Sequence, residues 1–526
     1  MSGKCNTKEF TMTKLTINKR QTEVPENYTV LDAARNAGIF IPTLCQSPGL
    51  DPFASCMVCV VKDGRTGKLF PSCAMRVEEG MVIITDDDEV IEARKTALEL
   101  LLSEHVGDCE APCSLACPAR MNIPLMNRYL AAGAIDEALA VVRETIALPA
   151  VLGYVCSAPC ESACKRKSID EAVSICLLKR FSGLHGNLIR TEKVAPLGKT
   201  VAVIGAGPAG LAAAWHLQLL GIAVTLIDAA ACAGGSLWES VDAGILPQEV
   251  LNREVRFILD AGIVFFENRH IDREAFIGIA DRFDAVILAT GAFSVPEDWG
   301  LGSDNKEVVV NKLTFRTVKS NVFAAGSVIQ KMPLAVTALT QGRKAADAVF
   351  RYLTKSDENG EQKLFNSRLG KLQAADFGAY LSEGEGKSRI NPASDELGYT
   401  IEEVRREASR CMHCDCRAIE DCRLRTFATV YQASQRRFSG VGRKPVTKWK
   451  HHELVVFEPG KCIRCGICVQ LTEKHRERYG MTFIGRGFEV AIGVPFAKSL
   501  EEGLAAIALK VVEACPTGAL SLINKY

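Results

Sequence analysis

The sequence predicts a multidomain α/β and α+β chain, and three observations carry that prediction. The first is length: 526 residues exceed what one core usually organises and suit three or four domains. The second is Val201–Asp228, VAVIGAGPAGLAAAWHLQLLGIAVTLID, which reads as strand, glycine turn, helix and second strand. The third is the grouping of the 21 cysteines on either side of that stretch. In a large chain, clustered cysteines point to metal rather than to disulfides.

Composition narrows the class further. The net charge of +1 gives no argument for nucleic acid or an acidic membrane surface. The N-terminus, MSGKCNTKEFTMTK, has no signal-peptide core, and no apolar run reaches about 18 residues. The expectation is a soluble, cytoplasmic chain without a membrane span and without a nucleic-acid partner.

Residues 1–90 alternate around Lys14–Thr29, and a short helix is expected near Val30–Ala37. Cys45, Cys56, Cys59 and Cys73 follow, separated by ten, two and thirteen residues. Four thiolates in a loop-rich stretch beside short strands suit a 2Fe-2S cluster, because two irons take four sulfur ligands. A structural zinc site is the alternative. The spacing resembles that of the N-terminal domain of the large iron–sulfur subunit of respiratory NADH dehydrogenase and of iron-only hydrogenases. That resemblance implies a ferredoxin-like β-grasp.

Residues 91–195 read as helical, with a helix over Asp88–Ser103, a further helical stretch from Pro124 to Ile146 and another from Asp170 to Arg180. HVGDCEAPCSLACP supplies Cys109, Cys113 and Cys117, and VCSAPCESACKR supplies Cys156, Cys160 and Cys164. Six thiolates are too many for one cubane and two short of a pair. Together with the glycine motif, this stretch is similar to the glutamate synthase small subunit and the N-terminal part of dihydropyrimidine dehydrogenase, which hold two 4Fe-4S clusters ahead of an FAD domain. The resemblance implies one cluster on Cys109, Cys113 and Cys164 and another on Cys117, Cys156 and Cys160. His105 falls near the family's remaining cysteine and is the candidate fourth ligand of the first, since a neutral imidazole can bind iron; a surface histidine at a helix end is the alternative. The second has no assigned fourth ligand. Glu171 and Lys179 are explained by a charged helix face, and Cys176 by the apolar side of that helix.

Residues 196–355 carry the glycine fingerprint Gly205, Gly207 and Gly210, with Pro208 and Ala209 opening the helix and Asp228 ending the second strand. The glycines allow a pyrophosphate to approach the helix N-terminus, and the acid accepts ribose hydroxyls. A glycine-rich turn in an ordinary α/β domain is the alternative. AGGSL (Gly235), VILATGAF (Thr290, Gly291) and NVFAAGSVIQ (Gly326, Ser327) are similar to the motifs that close the FAD domain of two-dinucleotide-domain flavoprotein reductases, which implies a Rossmann-like FAD domain ending in an amphipathic helix. Ser327 stands where that family usually has aspartate. About 30 residues separate Gly291 from Ala324, too few for the NAD(P)H-binding unit that the glutamate synthase type inserts there.

Residues 356–400, with KSDENGEQK and SEGEGKS, read as a linker. Residues 401–526 open with a helix at Ile401–Arg410 and the run CMHCDCRAIEDC. Its Cys411, Cys414, Cys416 and Cys422 suit one 4Fe-4S cluster, zinc being the alternative. EPGKCIRCGIC and EACPTGAL then supply Cys462, Cys465, Cys468 and Cys515. They resemble one half of a bacterial two-cluster ferredoxin, with Thr472 in place of the cysteine that would serve the other cluster. Cys5, Cys176 and Cys232 remain as ordinary residues.

The expected cofactors are therefore FAD, one 2Fe-2S cluster and four 4Fe-4S clusters. The expected function is an electron-transfer subunit of a larger oxidoreductase complex. Its partner would be a catalytic subunit of formate dehydrogenase, hydrogenase or aldehyde oxidoreductase type, with ferredoxin or an NAD(P)H-handling subunit as further candidates. A self-contained NAD(P)H-dependent reductase of the glutamate synthase small-subunit type and a non-catalytic redox sensor are the alternatives.

Overall fold

Alternation decides the first sheet: Leu15 and Ile17 on β1 (Met12–Ile17) and Val24 on β2 (Arg20–Pro25) are buried while most of their neighbours face out. The computed structural model describes residues 11–187, 194–292, 295, 299–301, 303–304, 307–331, 334–356, 363–384, 388–394, 398–440 and 442–523. Cys5 lies outside them. Helix α1 (Val30–Asn36) starts at a capping box, in which Thr29 Oγ1 accepts from the Asp32 N–H and the Asp32 carboxylate accepts from the Thr29 N–H. With β3 (Val60–Asp63), β4 (Leu69–Pro71) and β5 (Val82–Ile84) the sheet has the order β2-β1-β5-β3-β4, parallel only between β1 and β5. The strand-free stretch between α1 and β3 carries Cys45, Cys56 and Cys59. Helix α2 (Asp88–Ser103) is capped by Asp87, and Arg94 on it donates to the Val60 carbonyl, which ties helix to sheet.

A helical segment follows: α3 (Pro112–Ala116), α4 (Ile123–Ala132), α5 (Ile135–Arg143), α6 (Pro149–Val155), α7 (Pro159–Ser162) and α8 (Ile175–His185). Helix α8 begins five residues later than the sequence predicts. Asp170 is drawn instead to Arg166 and Arg410, two fully buried guanidiniums that need a carboxylate. The next elements are β6 (Thr200–Ile204), α9 (Pro208–Leu219), β7 (Ala223–Ile227), α10 (Leu237–Asp242), α11 (Gln248–Leu259), β8 (Val264–Phe266), α12 (Arg273–Arg282), β9 (Ala285–Leu288), the hairpin β10 (Ser303–Asp304) and β11 (Glu307–Val308), β12 (Val322–Ala324) and α13 (Ala335–Thr354). Five of the strands form one parallel sheet, β12-β9-β6-β7-β8. TVAVI, AVTLI and AVIL are apolar almost throughout, as strands covered on both faces must be.

The stretch expected as a linker is packed where it is described. Ser367, Leu369, Asp376 and Tyr380 are buried, Asp376 just before and Tyr380 within α14 (Phe377–Leu381). Asp376 is held by Arg443 and by the Val446 N–H, so buried polar partners rather than apolar area fix this segment. The chain continues through α15 (Ile401–Ala408), α16 (Arg423–Val430), β13 (Val455–Phe457), α17 (Ile467–Lys474), β14 (Thr482–Ile484), β15 (Ala491–Gly493), α18 (Leu500–Gly503), α19 (Ala508–Ala514) and β16 (Leu520–Leu522). Strand β13 pairs antiparallel with β16, and β14 with β15.

These segments make two units. The first takes residues up to Glu110, Lys363–Ala379 and everything from Asp415; the second takes Ala111–Gln362 and Tyr380–Cys414. The division falls inside the CMHCDC run.

Candidate functional site: a nucleotide cleft and groups of buried thiols

The glycine fingerprint opens a cleft of about 680 Å³ in the second unit, a size suited to a cofactor. Gly205, Gly207, Pro208, Ala209, Asp228, Gly235, Thr290, Gly291, Gly326 and Ser327 all line it. Gly210 does not, but its role is visible in the packing: a Cβ there would lie 1.8 Å from the Gly205 carbonyl oxygen. Gly205 itself has φ +105°, and a Cβ on it would meet the Ala289 carbonyl oxygen at 2.3 Å. Helix α9 starts at Gly207 without a side-chain cap, so its N-terminus faces the cleft as an anion site. Asp228 accepts from the Ala206 N–H at 2.5 Å and the Ala230 N–H at 2.7 Å, one carboxylate oxygen each, which leaves lone pairs for hydroxyl donors. Thr290 Oγ1 is buried without a protein partner at the same cleft, as expected of a group that a cofactor satisfies. Arg269 and Val155 also line the cleft, and no sequence motif flags either.

In the first unit, Cys45, Cys56, Cys59 and Cys73 are buried and touch. Cys45 hydrogen-bonds with Cys56 and Cys73, and Cys59 with Cys73; these bonds pull Cys45 and Cys59 down and push Cys56 and Cys73 up. Thiols this close share protons, and a metal centre that takes all four as thiolates removes that frustration. Cys462, Cys465, Cys468 and Cys515 line one small cavity, each of the first three pushed above the ordinary thiol range by burial. Cys465 also feels Cys45, so the two four-thiol groups are neighbours.

The run CMHCDCRAIEDC, expected as a single four-thiol group, is divided between the two units. Cys416 and Cys422 sit with Cys109 in the first unit: the Cys416 N–H donates to the Cys109 carbonyl at 2.9 Å, and Cys422 is within electrostatic reach of both and of Cys515. A Cβ on Gly518 would lie 2.3 Å from Cys416 Sγ, so the glycine keeps space open at that sulfur. Cys109 is further fixed by the Ser367 N–H, which donates to its Sγ at 3.3 Å from the stretch expected as a linker. Cys411 belongs to the second unit, beside Cys164 and hydrogen-bonded to Asn127. Cys109, expected to group with Cys113 and Cys164, falls in the other unit from both. The physical reason is local: each cysteine follows the helix or loop that carries it, and Cys411 lies three residues beyond α15, which packs on α4.

His105 has a buried Nδ1 with no hydrogen-bond partner. Burial, with the nearby Lys461 ammonium, lowers it to about 4, so its imidazole is neutral near pH 7. Lys461 is itself buried, bonded to Glu458 at 2.8 Å, and held charged against the effect of burial by Cys416 and Glu458.

In the second unit, Cys156 and Cys160 are joined by Cys176, the residue the sequence reading assigns to core packing. Its thiol hydrogen-bonds with those of Cys156 and Cys160. Lys179, expected on a solvated face, is 4% exposed and lies within electrostatic reach of Cys117, Cys156, Cys160 and Cys176. Glu171 is exposed, and its carbonyl accepts from Arg410. Among the described residues, no three His, Cys, Asp or Glu side chains are gathered to hold a single metal ion.

Residues 11–88 match the 2Fe-2S iron–sulfur cluster binding domain, residues 90–186 the 4Fe-4S cluster domain II of dihydropyrimidine dehydrogenase, and residues 187–342 the pyridine nucleotide-disulphide oxidoreductase domain. The chain is an oxidoreductase. It is 34% identical over 189 residues to the NADPH-Fe(3+) oxidoreductase subunit beta of Geobacter sulfurreducens, covering 35% of this chain and 28% of that one. The NADP(+)-dependent formate dehydrogenase subunit beta of Moorella thermoacetica is 35% identical over 207 residues, 34% of this chain and 29% of that one. The small chain of the Bacillus subtilis NADPH glutamate synthase is 34% identical over 197 residues, 36% and 40% respectively. The oxidoreductase thus spans well under half the length of these curated relatives. Among its described residues no helix is long and apolar enough to cross a membrane.

Proposed function

We propose that this oxidoreductase is an FAD- and iron–sulfur-containing electron-transfer subunit that relays electrons between a catalytic partner subunit and a soluble or protein acceptor. One observation carries the reading. Strands β9 and β12 pair directly, Val286–Leu288 against Val322–Ala324, so the ATG and AAGS motifs end side by side at one cleft. Among the described residues their connection holds only the hairpin β10-β11, where a self-sufficient reductase of the glutamate synthase type would carry its nicotinamide-binding unit.

The cleft would hold FAD, with the pyrophosphate at the start of α9, ribose hydroxyls at Asp228 and the Thr290 and Ser327 hydroxyls on the remaining polar groups. FAD exchanges two electrons at a time or singly, and clusters exchange one, so the combination joins the two kinds of chemistry. Proposed ligands for the 2Fe-2S cluster are Cys45, Cys56, Cys59 and Cys73, in the sheet-and-helix setting that suits a β-grasp. For 4Fe-4S clusters they are Cys462, Cys465, Cys468 and Cys515; His105, Cys109, Cys416 and Cys422; Cys113, Cys164, Cys411 and Cys414; and a site containing Cys117, Cys156 and Cys160. The electrostatic reach between Cys465 and Cys45 and between Cys422 and Cys515 supports a relay within the first unit. Val155, which lines the cleft, precedes Cys156 and supports a route from flavin to cluster in the second.

Partners of formate dehydrogenase, hydrogenase or aldehyde oxidoreductase type fit this role, with ferredoxin or a nicotinamide-handling subunit as acceptor, in a cytoplasmic hetero-oligomer. Affinity purification of the tagged chain from its own cells tests it: a stoichiometric oxidoreductase subunit is expected, and a fully cofactor-loaded chain recovered alone contradicts it. A second reading is favoured by the names of the relatives, which include NADPH and NADP(+). On that reading the chain is a nicotinamide-dependent reductase in its own right.

A further inference from the structure

The site at Cys117, Cys156 and Cys160 lacks a fourth ligand in every motif of the sequence, and the second unit supplies one. Cys176 stands in the first turn of α8, and its thiol reaches those of both Cys156 and Cys160. The packing leaves it little freedom. Helices α6 and α8 cross at two glycines: a Cβ on Gly153 would lie 2.3 Å from Arg180 Cβ, and one on Gly183 would lie 2.6 Å from the Ala150 backbone nitrogen. Cys156 is the residue that ends α6, so this close crossing sets Cys156 and Cys176 against one another. The start of α8 is pinned as well, because Glu161 accepts from the Cys176 N–H at 2.9 Å and Glu407 accepts from the Ser174 N–H at 2.9 Å.

We infer that Cys176 is the fourth ligand of a 4Fe-4S site completed by Cys117, Cys156 and Cys160. The inference rests on the proposal that these three cysteines hold a cluster. Four thiolates would place concentrated negative charge in a buried pocket, and such charge must be offset. The buried ammonium of Lys179 stands in that position, with its Nζ 3.8 Å from Cys176 Sγ and the other three sulfurs in electrostatic reach. A cysteine serving only as apolar filler has no use for a buried lysine one turn away.

The test compares the full-length chain with Cys176→Ala, Cys176→Ser and Cys156→Ala, purified anaerobically and assayed for iron, acid-labile sulfide, FAD and low-temperature EPR spectra. Cys176→Ala should lose either about four irons per chain or about one, the latter with the signal of a three-iron cluster, while FAD content is kept. Wild-type iron content and an unchanged spectrum in Cys176→Ala, beside a loss in Cys156→Ala, would overturn the inference and leave the cluster reading standing. Wild-type iron in Cys156→Ala as well would sink the cluster reading itself. Should Cys176→Ala fail to fold, Cys176→Ser decides: a near-isosteric oxygen ligand should alter the EPR line shape of one cluster, and an unaltered spectrum counts against ligation.

Discussion

At the scale of single residues the nucleotide cleft was legible because two glycines of its fingerprint answer a steric demand. Gly210 meets the Gly205 carbonyl and Gly205 meets that of Ala289, so no side chain fits at either. Gly210→Ala should therefore abolish FAD retention, not merely weaken it, which the flavin-to-protein ratio of the purified chain would report. The cysteines were half legible. Their types and counts announce clusters, but which sulfurs share a site depends on how helices pack, and spacing does not encode that. Cys411 lies within electrostatic reach of Cys164, 247 positions away in sequence, and Cys416, only five residues later, sits with Cys109. Cys176 was lost for another reason: an apolar helix position explains a cysteine well enough until Lys179 is seen to be buried beside it.

At the scale of elements, caps and apolar periodicity located the helices; α2 spans the predicted residues because Asp87 caps it and the Ala/Leu stripe continues to Ser103. What ties one element to another was hidden. Glu254 on α11 accepts from the N–H groups of Ala150 at 3.2 Å and Val151 at 2.9 Å, at the start of α6, and pairs with Arg143 at 3.4 Å. This carboxylate fastens the cluster-bearing helices to the flavin sheet. Burial raises it to about 7, with Arg143 acting in the opposite sense. Because the folded value lies above the ordinary 4.5, its contribution to stability is complete below about 4.5 and is lost as pH rises to about 7, a change of roughly 3 kcal/mol. Urea midpoints should show that decline in the wild type and not in Glu254→Gln. Glu254→Ala, which leaves Arg143 and two helix N–H groups buried without a partner, should cost about 3–5 kcal/mol at neutral pH.

At the scale of the whole molecule, the two units do not follow chain order. Part of the compositional linker, Lys363–Ala379, and the far C-terminal segment group with the residues up to Glu110, whereas the rest of the linker and the segment around α15 group with the parallel sheet. Chain order predicts the closure of the first unit poorly because Ser367 and Asp376, which help to close it, are polar and sit in a stretch rich in Gly, Ser and Glu. On the proposed function, electrons reach the flavin through clusters and a partner and not from a nicotinamide bound by this chain. Anaerobic spectral titration tests it most directly: NADH, then NADPH, then dithionite are added while flavin and cluster absorbance are followed. Dithionite is expected to bleach both chromophores, and neither nucleotide to do so. Rapid bleaching by either nucleotide, at a rate matching turnover, would contradict it and establish the chain as a reductase in its own right.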